Sequence, residues 1–122
     1  FLNQLKFFSN SKTKILLMES SNDGLKNINR IRKKLKLKEI IKPWHNLYFD
    51  DLKVKQTVFK GIKLTKIKEV FSTYYFTSRV LNAATNKKPS YNDLLNLAGW
   101  MLPQDLIRGF SQLRLYIFKS KN

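Results

Sequence analysis

Apolar residues recur at helical spacing over four stretches of the chain. After Gly24, the residues Leu25, Ile28, Ile31, Leu35 and Leu37 fall mostly three or four apart, the repeat of an amphipathic helix with one face turned inward. Lys42-Pro43 closes that element, because proline disfavours helical backbone at the residue before it. From Thr65 onward, Ile67, Val70, Phe71, Tyr74 and Val80 predict a second helix to about Ala84, ended by the breaker cluster Thr85 to Pro89. Leu94, Leu95, Leu97 and Ala98 predict a third, capped by Ser90 or Asn92, with Asp93 at its positive end. Pro103 then takes a favoured first-turn position, and Leu106, Ile107, Phe110, Leu113 and Ile117 predict a fourth helix over Gln104 to Lys119. Joined near Gly99 to Pro103, the last two would form an antiparallel helical hairpin.

The remaining stretches follow no single period. Residues 1–18 place Leu2, Leu5 and Phe8, then Ile15 to Met18, around a Ser-Asn-Ser interruption. They predict an anchoring arm with one or two helical turns, a terminal strand being the alternative. Glu19 to Gly24 consists of turn formers and is expected to be a loop. Over 52–64, Leu52, Val54, Val58, Ile62 and Leu64 partly alternate with lysines as in a half-buried strand, although Gly61 could equally separate two helices. The expected fold is mainly α: a small helical domain with a C-terminal helical hairpin and an extended basic N-terminal half. Its parts are an arm and loop (1–24), a basic helix with an aromatic loop and the ambiguous segment (25–68), and a helical C-terminal part (69–122).

Composition supports a folded single domain of 122 residues, since 43% of them are apolar and nine Phe, five Tyr and two Trp can fill a core. Charge changes the picture more. Twenty-four Lys and Arg stand against eight Asp and Glu, for a net +16. Such self-repulsion is relieved by a dense polyanion. An AT-rich base composition would supply lysine and asparagine, but it does not explain why acids are scarce. The excess is concentrated early: residues 1–68 carry 17 basic and 5 acidic side chains, residues 69–122 only 7 and 3.

Catalysis finds little to work with. Cysteine is absent and His45 is the only histidine, so thiolate nucleophiles, disulfides and the usual zinc sets are excluded. The four glycines are scattered singly, with no phosphate-cradling loop, and the acids are too dispersed for a paired-carboxylate site. No enzyme, cofactor, metal or small-molecule substrate is expected. The apolar runs Ile15 to Met18 and Leu115 to Phe118 are far too short to span a bilayer.

The densest motif is Arg30-Ile-Arg-Lys-Lys-Leu-Lys-Leu-Lys38. On a helix its apolar positions face a core while Arg30, Arg32, Lys33, Lys34, Lys36 and Lys38 line a phosphate path, lysines as point charges and arginines as bidentate clamps. The competing reading is a merely solvated face. Lys42 follows, then an aromatic loop in which Trp44 and His45 could stack on unpaired bases, whereas Phe49 and the run Tyr74-Tyr75-Phe76 read as core packing. Lys53, Lys55, Lys60, Lys63, Lys66 and Lys68 would extend the path. Leu97 to Asp105 superficially resembles the helix motif of LAGLIDADG homing endonucleases, but Leu102 or Gln104 stands where that family places its metal-binding acid, and the resemblance is set aside.

The expected function is a structural RNA-binding subunit of a large ribonucleoprotein, first of all a divergent mitochondrial ribosomal protein that contacts rRNA phosphates and neighbouring proteins. A start at Phe1 without an initiator Met fits a matured organellar protein on the matrix side, or a portion of a longer chain. The alternatives are a peripheral accessory subunit of an organellar membrane complex and, ranked lower, a helical DNA-binding module, which would need base-reading Arg and Asn on a recognition helix.

Overall fold

The computed structural model describes residues 12–44, 46–85 and 94–121. Four strands form a curled sheet in the order β2-β1-β4-β3, with β1 (Lys14–Ser21), β2 (Tyr48–Phe49), β3 (Ile62–Glu69) and β4 (Leu113–Ser120). The helices are α1 (Asn22–Lys34), α2 (Asp51–Gln56), α3 (Ser72–Phe76), α4 (Asn82–Thr85) and α5 (Leu94–Met101). A π-helical segment, Thr77–Leu81, joins α3 to α4, so that 72–85 is one continuous rod.

The register sorts side chains into two faces, because alternate residues of a strand point to opposite sides. On the inner face, Leu17, Tyr116 and Ile67 share one row, and Ile15, Phe118 and Leu64 the next. Tyr116, Phe118 and Ile62 are fully buried there. Phe49, Val54 of α2 and Phe59 close over them, with the Phe59 and Phe118 rings edge to face at 5.2 Å. At the other end, Leu25 and Ile28 of α1 and Val80 of the rod are buried, where α1 meets the π segment.

A mainly helical fold is therefore corrected to a mixed α/β one. The predicted helix over 104–119 is an irregular segment followed by β4. Leu113 to Phe118 fits both periods, but it is rich in β-branched and aromatic residues that pack well on a pleated surface, and Gly109 at φ 93° breaks any helix running into it. Segment 103–111 is held without regular structure by hydroxyls. Thr73 Oγ1 donates to the Pro103 carbonyl at 2.7 Å, Ser72 Oγ accepts from the Phe110 amide at 3.0 Å, and Ser111 Oγ donates to the Val70 carbonyl. No helical hairpin forms from 94–119; α5 packs instead on the rod 72–85.

Three other expectations shift. Ile15 to Met18 belongs to a central strand rather than an arm, the alternative named for it. Glu19 to Gly24 is no loop: β1 passes straight into α1, with Ser21 as N-cap accepting from the Gly24 amide at 3.2 Å, because turn formers also cap helices. The second predicted helix is divided, 65–69 lying in β3 and the helix starting only at Ser72, after Phe71 adopts φ 59°. The ambiguous 52–64 contains both α2 and the start of β3, separated near Gly61 at φ 75°. The helix expected after Gly24 is present, but it starts at Asn22 and ends at Lys34, well before Lys42-Pro43, because Lys36 turns into the left-handed region. Leu2, Leu5, Phe8, His45 and the cap candidates Ser90, Asn92 and Asp93 lie outside the described residues.

Candidate polyanion-binding surface

The acidic side chains decide where the cations are free to act. Arg114 is buried at 4% exposure and donates from Nε to Asp51 at 3.1 Å, while its Nη2 lies 3.5 Å from Glu69. Tyr116 Oη donates to the other Asp51 oxygen at 2.9 Å. Burial above all, then the bond to Asp51 and its charge, raises the Tyr116 phenol well beyond the ordinary tyrosine range. Asp23 accepts from the Asp51 amide at 2.8 Å, Asp50 lies 3.4 Å from Lys53, and Asp105 lies 3.9 Å from Arg108. Among the described residues, Asp23 and Asp51 are thus engaged within the fold and Asp50 and Asp105 in local surface pairs, against a larger number of surface lysines.

The densest free group lies along α1. Lys26, Arg30 and Lys33 stand at i, i+4 and i+7, one side of a helix. After the helix ends, the chain doubles back beside it. Asn29 fixes this return by gripping Ile40 twice, donating from Nδ2 to its carbonyl at 3.0 Å and accepting its amide on Oδ1 at 2.8 Å. The result is a groove of about 570 Å³ between α1 and residues 39–42, in which Lys26, Arg30, Lys33 and Lys42 meet the single carboxylate of Glu39. Lys42 is oriented by Asn22 Oδ1, 2.9 Å from its Nζ, and sits 5.7 Å from the centre of the Tyr48 ring. Cations on a groove rim above an apolar floor of Leu25 and Ile40 suit a linear polyanion.

The other predicted binding residues divide by location. Lys34, Lys36 and Lys38 are exposed on the last turn of α1 and just beyond it. Arg32 is committed to the fold: Nε donates to the Lys38 carbonyl at 2.7 Å and Nη1 to the Arg79 carbonyl at 2.6 Å. Burial, and then the nearby Arg79 guanidinium, lowers its pKa from the ordinary arginine value. Trp44 is 95% exposed next to Lys42, and His45 lies outside the described residues. Lys53 and Lys55 ride on α2 and Lys60 precedes β3, whereas Lys63, Lys66 and Lys68 point outward from β3. As expected, Phe49 packs in the core, 6.0 Å from Tyr116; Tyr74 is half-buried outside that cluster and stacks at 4.2 Å on Trp100, itself half-exposed.

Lys26 was missing from the predicted set, although helical spacing from Arg30 and Lys33 reaches it. Lys42 joins that group only through the Asn29–Ile40 contact, for which no sequence period gives a signal. Among the described residues, no helix is long and apolar enough to cross a membrane. Compared with protein-family models, curated proteins and solved structures, the chain matches none of them.

Proposed function

We propose that the protein is a structural RNA-binding subunit of a large ribonucleoprotein, first of all a divergent mitochondrial ribosomal protein, and that the α1 groove holds a stretch of RNA backbone. The observation that carries this reading is the convergence of Lys26, Arg30, Lys33 and Lys42 on one groove. Arg30 supplies a planar fork that can grip a phosphate bidentately, and the three lysines add point charges along the same path. Neutralising phosphates releases condensed counterions, so affinity must fall steeply with salt.

Fluorescence anisotropy with a single-stranded RNA over a range of salt tests this. Each of Lys26→Gln, Arg30→Gln and Lys33→Gln is expected to reduce the slope of log affinity against log salt by about 0.7, the value for one single-strand phosphate contact. Arg32→Gln should leave the slope unchanged and lower thermal stability instead. Salt-indifferent binding, or recruitment to anionic vesicles that RNA fails to compete, overturns the RNA reading. The assembly is tested by co-sedimentation of the native protein with ribosomal particles and its release by nuclease digestion or high salt.

A further inference from the structure

The outer face of the sheet carries a second, chemically different surface. By register, Lys14, Lys119 and Lys63 form one row across β1, β4 and β3. The next rows are Leu16, Ile117 and Lys66, then Met18, Leu115 and Lys68. An aliphatic block of four residues is thus bordered by lysines at one end and along the β3 side. It is open: Leu16 is 64% exposed and Met18 50%, on the stretch of β1 that, among the described residues, pairs with β4 alone, since β2 reaches only Ser20 and Ser21. A β-bulge between Leu64 and Lys66 produces the frame. The extra residue, Thr65, shifts the alternation by one, so Ile67 returns to the core and Lys66 and Lys68 stay outside.

We infer that this face docks an acidic amphipathic helix of a partner protein, with an aliphatic ridge on the block and carboxylates against Lys63, Lys66 and Lys68. Charge complementarity selects the occupant. Among the described residues the outward positions of these three strands hold five lysines and no acid; Asp105, which shares a cleft with Lys66 and Lys68, lies 3.9 Å from Arg108. Three strands cover about 10 Å, the width of one helix. RNA would leave the aliphatic block unused, since bases stack on aromatic side chains and this face has none. A membrane surface is entered by a broad set of protruding aromatic and aliphatic groups, whereas here, among the described residues, only Leu16 and Met18 protrude, no aromatic stands beside them, and Leu115 and Ile117 are half-buried in the face. A second copy would bring the same lysines, and residues 1–11 contain no carboxylate. This surface is separate from the α1 groove and does not rest on the RNA reading.

The test titrates the whole chain with a labelled helical peptide of about 18 residues, or five turns, bearing a leucine ridge flanked by glutamates. The control is a scrambled peptide of equal composition, which keeps the charge and loses the ridge. The ordered peptide is expected to bind about tenfold more tightly than the scrambled one, and Leu16→Ser with Met18→Ser should remove that preference. Leu16 is mostly exposed and Met18 half-exposed, so a cooperative melt with only a small fall in melting temperature is expected and verifies folding. As a second variant, Lys66→Gln with Lys68→Gln should weaken the ordered peptide about tenfold, while Lys26→Gln in the groove should not remove the preference. Equal binding of the two peptides overturns the inference. So does a preference that survives the Leu16 and Met18 changes, or anionic vesicles that bind through Leu16 and Met18 and displace the peptide.

Discussion

Arg114 and Asp51 meet at 3.1 Å across 63 residues of chain, one buried in the last strand and the other at the start of α2. The same guanidinium donates to the Ser111 carbonyl at 2.9 Å, so it joins β4, α2 and the irregular segment before β4. Removing one partner of a fully buried pair costs about 3–5 kcal/mol; here Asp51 and Glu69 are about a quarter exposed and water can reach them. Arg114→Met is therefore expected to lose no more than about 3 kcal/mol of unfolding free energy in urea titration, and Asp51→Asn less, because Glu69 remains beside the arginine.

Tyr116 gives a pH dependence with a definite sign. Its phenol is held protonated in the folded state above the ordinary value of about 10. The native state therefore keeps a proton that the unfolded chain releases. This contribution to stability is complete below about pH 10 and is lost as pH rises toward the folded pKa. Thermal melts from neutral to strongly alkaline pH should show a steeper alkaline decline in the parent than in Tyr116→Phe, which should be less stable by about 1 kcal/mol near neutrality for want of its bond to Asp51.

Gly24 and Gly99 both allow close packing, but their obstacles differ. A Cβ at Gly24 would lie 1.5 Å from the Ser111 carbonyl oxygen, which is backbone, whereas one at Gly99 would meet Thr77 Oγ1 at 1.9 Å, a rotatable group, and Tyr74 Cα at 3.2 Å. Overpacking typically costs about 1–3 kcal/mol. Gly24→Ala should lie at the top of that range or beyond and Gly99→Ala below it, as measured by denaturant midpoints.

Lys36 closes α1 in the left-handed region at φ 57°. The Leu37 amide reaches the Arg32 carbonyl at 2.9 Å and the Lys36 amide that of Lys33 at 3.1 Å, the helix-ending pattern that glycine usually serves. Lys36→Gly is expected to raise stability by about 0.5–1 kcal/mol through relief of that strain. Because Lys36 lies outside the groove, the salt slope of RNA binding should fall by less than for Lys33→Gln.

The sequence was most legible where one period ruled. Leu25, Ile28 and Ile31 announced α1 because only a helix puts them together. Leu113 to Phe118 satisfied the helical and the alternating period at once, and tertiary pairing with Leu16, Leu17 and Leu64 selected the strand. β3 was concealed by its own bulge: Ile62, Leu64 and Ile67 reach the same face only because Thr65 is inserted. For the candidate site, Arg30 and Lys33 were visible as charge. The inward commitment of Arg32 was not, since it depends on a carbonyl 47 residues away.

That bulge also bears on how the sheet ends. β2 has only two residues, and β3, the other edge, combines a bulge with lysines at 63, 66 and 68. Short, kinked and charged edges resist further strand addition. The bulge and its lysines therefore guard the β3 side against fibril stacking, whereas on the other side residues 14–19 of β1, beyond the reach of β2, form the longer free edge among the described residues, so any added strand would be directed to that side.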